Sequence, residues 1–119
     1  MSGRDLSRLA DIVEAIGAIQ AHLARGGLED DLVYDAVRVR LIEVGAAVES
    51  TSDELLAAEP DVPWGTLARM RDHLAHRDFD PERAFVQQVV VNELGPLLLA
   101  VRSLLDRVEP SAGGSASAN

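Results

Sequence analysis

Apolar residues recur at steps of three and four along most of this chain, and the gaps between those runs hold Gly, Pro, Ser and acidic residues. That period is the one an amphipathic helix needs to bury a single stripe. Leu6, Leu9, Val13, Ile16 and Leu23, widened by Ile12 and Ile19, predict a first helix from Asp5 to Arg25, ended by Gly26 and Gly27. His22, near that end, reads most simply as a solvent-facing or dipole-compensating residue. A second helix is expected from Asp30 to Ser50, with Glu29, Asp30 and Asp31 around its first turn, where carboxylates complement the dipole. It carries two stripes, Leu32/Ala36/Val39/Ile42 and Val37/Leu41/Val44/Val48. A helix apolar on more than one face is contacted on two sides, and in a chain this small one side is free to meet a second subunit.

Ser52 or Asp53 suits the N-cap of a short turn over Glu54–Glu59, before Pro60. The chain restarts at Asp61-Val62-Pro63-Trp64, with Asp61 or Val62 outside and Pro63 in the first turn of the next helix. Trp64, Leu67, Met70 and Leu74 form its buried stripe, and Phe79 is expected to close the core beneath it. Asp80-Pro81-Glu82 is a further start, with an aspartate cap and proline behind it. A long apolar helix follows: Phe85, Val86, Val89 and Val90, then a seam of Leu94, Leu98, Val101, Leu105 and Val108. Pro96 should kink or split it. The expected architecture is all-α, an up-and-down bundle of four to five helices over residues 1–109, with a disordered Gly/Ser/Ala-rich tail over 110–119.

Composition narrows the function. One domain fits 119 residues, and 47% apolar content can build a core from Leu, Ile, Val and Ala. The net charge is -9 and all the basic residues are arginine, which argues against a general nucleic-acid coat. Any RNA contact must come from a local concentration, and Arg69, Arg71, Arg77 and Arg83 supply one, diluted by Asp72, Asp78, Asp80 and Glu82. Cysteine is absent, which removes disulfides, thiolate nucleophiles and Cys-based zinc sites. Neither a signal peptide nor an apolar run of membrane-spanning length is evident, so a cytoplasmic protein without a membrane partner is expected.

The densest chemistry lies in Arg71-Asp72-His73-Leu74-Ala75-His76-Arg77-Asp78-Phe79. A guanidinium can grip a phosphate through two hydrogen bonds, and an imidazole can move a proton near neutral pH. Arg71 and His76 are therefore the candidate pair for phosphodiester chemistry. On an ideal helix residues five apart diverge by about 140°, and residues four apart by about 40°. Arg71 and His76 then do not share a face, whereas Asp72 and His76 do. Asp72 is placed to orient His76, while Arg71 reaches round or works opposite another subunit's histidine. Arg77, His73 and Arg69 are possible RNA contacts, each more simply a solvated side chain. Arg40 and Glu43 are candidates to line a cleft beside this stretch, and with Arg38 and Glu49 they read most simply as surface charges. His73 and His76 have a chelating spacing, but no clear third ligand accompanies them, so neither a metal nor another cofactor is expected. Spacing alone favours an exposed arginine and a helix-end histidine with no catalytic role.

Three features in order change that balance: the leading amphipathic helix, Asp61-Val62-Pro63-Trp64, and Met70-Arg71-Asp72-His73-Leu74-Ala75-His76 followed by Phe79-Asp80. Together, over roughly residues 5–108, they resemble the small HepT-like (DUF86) branch of the HEPN superfamily. The resemblance implies a homodimeric helical bundle acting as a toxin ribonuclease, with Arg71 and His76 as the catalytic pair and two such pairs meeting across the dimer. It also implies a partner, a minimal nucleotidyltransferase antitoxin of the MntA type. The alternative is a catalytically silent helical module that binds a nucleotidyltransferase or a nucleotide. One position departs from the family pattern R-x-x-x-x-H-x-Y. Asp78 stands where the family carries the tyrosine that its partner adenylylates, and a carboxylate is not an equivalent acceptor. Its charge beside a phosphate site is expected to weaken RNA binding and favour the protonated form of His76. A natural divergent member, an attenuated enzyme and an altered residue in a toxic protein all fit that departure.

Overall fold

The structure, a computed structural model, describes residues 3–75 and 79–108, with side chains at all of these except 79–82 and 108. Helices account for every regular element among them: α1 (Gly3–Leu23), α2 (Asp31–Glu49), α3 (Asp53–Leu56), α4 (Trp64–Ala68), α5 (Met70–Ala75), α6 (Phe79–Asn92) and α7 (Leu94–Val108). The fold is thus the expected all-α bundle. Helix α2 is its centre, packing against α1 on one side and against α4 and α5 on another, while α1 also packs on α7.

The two stripes of α2 have opposite fates. Val37, Leu41, Val44 and Val48 are buried, meeting Leu9, Ile12, Ile16 and Ile19 of α1 in one core. Burying each such side chain stabilises the fold by roughly 1.5–3 kcal/mol. Leu32 is 80% exposed and Val39 47% exposed, so much of the second stripe faces outward. Asp30 is the N-cap of α2 rather than a member of its first turn: its carboxylate accepts from the Leu32 and Val33 amides, at 2.9 and 3.4 Å. The short helix starts at Asp53 with Ser52 in the cap position, but Ser52 does not cap it. Its hydroxyl and amide instead donate to the buried carboxylate of Asp5, at 2.9 and 3.1 Å, tying the start of α1 to the start of α3.

The helix expected after Pro63 is two segments, α4 and α5, meeting at Arg69. Helical bonds cross the junction, from the Arg69 amide to the Gly65 carbonyl and from the His73 amide to the Arg69 carbonyl, so the pair continues one course. Leu67, Met70 and Leu74 are buried as expected. Trp64 is half-buried and donates its indole N–H to the Glu59 carbonyl, at 2.9 Å, which anchors the entry to α4.

Two expectations for the C-terminal half are corrected. Helix α6 begins at Phe79, so Asp80 lies inside it rather than capping it. The apolar run does split, at Glu93, with a bend of 57° between the two parts. Pro96 falls in the first turn of α7, where its missing N–H costs nothing. The seam is also partly rotated from the expected one: Leu94 and Val101 are buried as expected, but Leu97, Ala100 and Leu104 join them, while Leu98 and Leu105 pack only at the edge. Among the described residues no single helix is long and apolar enough to cross a membrane.

Candidate active site

Close approach of two backbones positions the Arg71 segment. Gly45 of α2 sits against α4 and α5 so tightly that a Cβ there would come within 2.9 Å of the Leu67 carbonyl oxygen and 3.2 Å of Met70 Cβ. Only glycine permits this crossing. A second tie holds the end of α5. Arg38, from α2, donates through Nη1 to the Leu74 carbonyl at 2.5 Å, satisfying a carbonyl in the last helical turn. Arg38 is therefore a part-buried link between helices and not the surface charge expected from its sequence context.

From this platform Arg71 leans back over α2. Its Nη1 lies 3.4 Å from Glu49 Oε1 and its Nε 3.8 Å from Asp72 Oδ1, and the side chain remains 49% exposed. An exposed ion pair of this kind is weak, so the guanidinium is held in place yet free to exchange a carboxylate for a phosphate. Glu49, the partner, looked like one more surface charge, and nothing in its spacing from Arg71 could have revealed the contact.

Side chains of the same segment also line a second feature, with Asp72 common to both. Thr66, Arg69, Met70, Asp72, His73 and Phe85 surround a concavity of about 380 Å³. The His73 and Phe85 rings meet edge-on there, 4.8 Å between centroids and 61° between planes. Of these, Arg69, Asp72 and His73 stood out in the sequence. Thr66 and Phe85 did not, since Phe85 read as core, where it is only partly buried.

The arginine concentration read from the sequence is divided by the fold. Arg83 is committed elsewhere: it donates to Asp31 Oδ1 at 2.7 Å and to the Leu28 carbonyl at 3.3 Å, and its guanidinium lies 4.2 Å from the centre of the Tyr34 ring. It fastens α6 to the start of α2. Arg69 makes no ion pair among the described residues. His76, Arg77 and Asp78 lie outside the described residues. Arg40 and Glu43, paired at 3.0 Å, line a separate groove with Arg8, Asp11 and Glu14 between α1 and α2, and not a cleft beside the Arg71 stretch. Among the described residues no three His, Asp or Glu side chains converge as a metal-binding set.

Comparison with known proteins adds what this geometry alone does not give. The family model described as Ribonuclease HepT-like matches residues 8–104, from the first turns of α1 almost to the end of α7. The chain belongs to the HepT-like ribonuclease family. Two relatives agree with the assignment. A protein of Methanocaldococcus jannaschii, named provisionally as an RNase, is 27% identical over 82 residues, covering 69% of this chain and 68% of its own. A protein of Thermococcus cleftensis, named provisionally as a ribonuclease HepT, is 29% identical over 93 residues, covering 75% of this chain and 84% of its own. No solved structure gives a significant match. The HepT-like segment that the family match spans includes the entry at Trp64, Arg71 and its platform on α2, and His76.

Proposed function

We propose that this protein is an endoribonuclease toxin of the HepT kind, acting without a metal as a homodimer in the cytoplasm. The observation that carries the reading is the presentation of Arg71: a guanidinium half in solvent, seated on a glycine-dependent helix crossing, five residues before His76 in a HepT-like chain. In the reaction the ribose 2′-hydroxyl attacks the adjacent phosphorus and the bond to the 5′-oxygen breaks. His76 assists the proton transfer, and Arg71 neutralises charge on the phosphorane oxygens. Dependence on that hydroxyl confines the activity to RNA. The five-residue spacing of Arg71 and His76, which puts them on different faces of one ideal helix, supports a site completed by the histidine of a second copy.

Neutralisation belongs to a partner nucleotidyltransferase of the minimal MntA type, as the family resemblance implies. Asp78 in place of the acceptor tyrosine sets this chain apart from members modified at that position. Incubating the parent chain and Asp78→Tyr with such an enzyme and ATP tests the point. Equal activity and equal modification of the two would show that position 78 is not the control point.

The deciding experiment is cleavage of RNA by the purified full chain in the presence of chelator, beside Arg71→Ala and His76→Ala. Each substitution is expected to cut the rate by about 10²-fold or more. A parent chain that leaves RNA intact while still binding a nucleotidyltransferase would instead identify a silent binding module.

A further inference from the structure

The concavity beside Arg71 has the composition of a site for a flat, partly polar ligand attached to an anion. Its base is Met70, which is fully buried, and one wall is the edge-on pair of His73 and Phe85. The rim is polar and mixed. Thr66 offers a hydroxyl, Asp72 an acceptor and Arg69 a cation. Arg69 is exposed and makes no ion pair among the described residues, which is equally true of Arg4, Arg25, Arg102 and Arg107; what sets Arg69 apart is that it lines this concavity. An exposed cation lining a largely apolar concavity beside two aromatic rings suits a nucleotide better than an apolar peptide, which would have no use for the charge, or a free anion, which would have no use for the rings.

We propose that this concavity is a base-binding subsite for single-stranded RNA, in which one unstacked base enters against His73 and Phe85 and a neighbouring phosphate meets Arg69. The proposal rests on the ribonuclease reading and deepens it. Sequence-specific and strand-specific RNA contacts commonly use splayed-out bases stacked on Phe or His rings, because every base offers a π-face once it leaves a helix. The subsite flanks the reaction centre rather than containing it. Asp72, which lines it, also lies 3.8 Å from the Arg71 guanidinium and is four residues before His76 in the sequence, so the concavity adjoins Arg71. A base seated here would hold the adjoining backbone at the Arg71/His76 segment, so the enzyme selects unpaired RNA before any bond is broken.

The test measures binding apart from cleavage. The probe is a short single-stranded oligonucleotide with 2′-O-methyl groups throughout, which lacks the attacking hydroxyl and is not cut, read by fluorescence anisotropy with the full chain. Phe85→Leu keeps an apolar side chain at a partly buried position, and Arg69→Gln changes an exposed one. Each is expected to weaken binding about 5- to 100-fold, the range that loss of one stacked base commonly produces. An oligonucleotide with abasic sites should bind the parent as weakly as the intact one binds Phe85→Leu, with no further loss when the two changes are combined. A fully paired duplex of the same sequence should bind at least as weakly as the abasic strand. Parent-like binding by both variants, or equal affinity for intact and abasic strands, would overturn the subsite whatever the cleavage assay shows. Undiminished cleavage by Arg71→Ala would overturn the ribonuclease mechanism instead, and the anisotropy result would still decide the subsite.

Discussion

Gly45 and Arg71 meet backbone to backbone: a Cβ at position 45 would stand 2.8 Å from the Arg71 amide nitrogen. Rigid main chain lies on the far side of that contact, so a larger residue must separate α2 from α5 rather than displace a flexible side chain. Gly45→Ala is expected to destabilise the fold by about 1–3 kcal/mol, the usual range for overpacking. Gly17 supplies the control. It is exposed in the interior of α1, and a Cβ there would meet nothing within 4 Å. Gly17→Ala should therefore stabilise by up to about 1 kcal/mol through helix propensity alone. Urea denaturation of both variants checks the pair, and equal stability of Gly45→Ala and the parent would mean that the helices part easily. Cleavage should fall in Gly45→Ala even where the protein is folded, because Arg71 moves with α5.

The crossing shows where sequence reasoning reaches and where it stops. Helical period identified α1, α2 and the buried stripes on them, because burial against any neighbour demands the same spacing. The same period could not say which stripe of α2 faces inward, since Leu32 and Val37 are equally apolar and only tertiary packing buries one and exposes the other. Arg71 was legible as chemistry through its spacing to His76 within a segment that resembles the family motif, and Arg69 as one of a local concentration of arginines. Their partners were not. Glu49 and Phe85 are brought to them by the packing of α2 and α6, across 22 and 16 positions of chain that carry no local sign of it. Arg38 looked like a surface charge for the same reason: the Leu74 carbonyl it holds is 36 residues away.

That Arg38 contact makes its own prediction. Arg38→Met keeps the apolar stem and removes the donors, leaving the Leu74 carbonyl in the last turn of α5 without this partner. Hydrogen bonds involving a charged group contribute about 1.5–3 kcal/mol, and partial exposure here places the expected cost near the lower end. Since the Leu74 carbonyl lies two residues before His76, kcat should fall more than the affinity for the 2′-O-methyl strand. Amide exchange in α5 should quicken in the same variant. A loss of affinity with kcat intact would assign Arg38 to substrate binding instead of to holding the helix end.

Glu49 holds Arg71 through an exposed pair, and such pairs contribute at most about 1 kcal/mol. Glu49→Gln should leave stability within about 0.5 kcal/mol of the parent. It also removes the carboxylate that competes with RNA phosphate for the guanidinium. RNA affinity is then expected to rise a few-fold at low ionic strength, with the gain shrinking as salt screens exposed charges. A fall in affinity would mean that Glu49 is needed to aim Arg71, and that the guanidinium does not find the phosphate unaided.

The exposed stripe of α2 bears on the proposed dimer. Leu32 and Val39 are two helical turns apart on the same face, and such turns of a soluble helix are ordinarily polar unless something covers them. If a second copy covers them, Leu32→Glu combined with Val39→Glu should place like charges across a two-fold axis and convert the dimer to monomer in sedimentation equilibrium. Neither side chain supports the core, so the helical circular dichroism should stay near that of the parent. Cleavage should disappear with the dimer, since Arg71 of one copy would lose the histidine of the other. A monomer that still cuts RNA at the parental rate would place both catalytic groups within one chain, and a dimer that survives both glutamates would put the interface on another face.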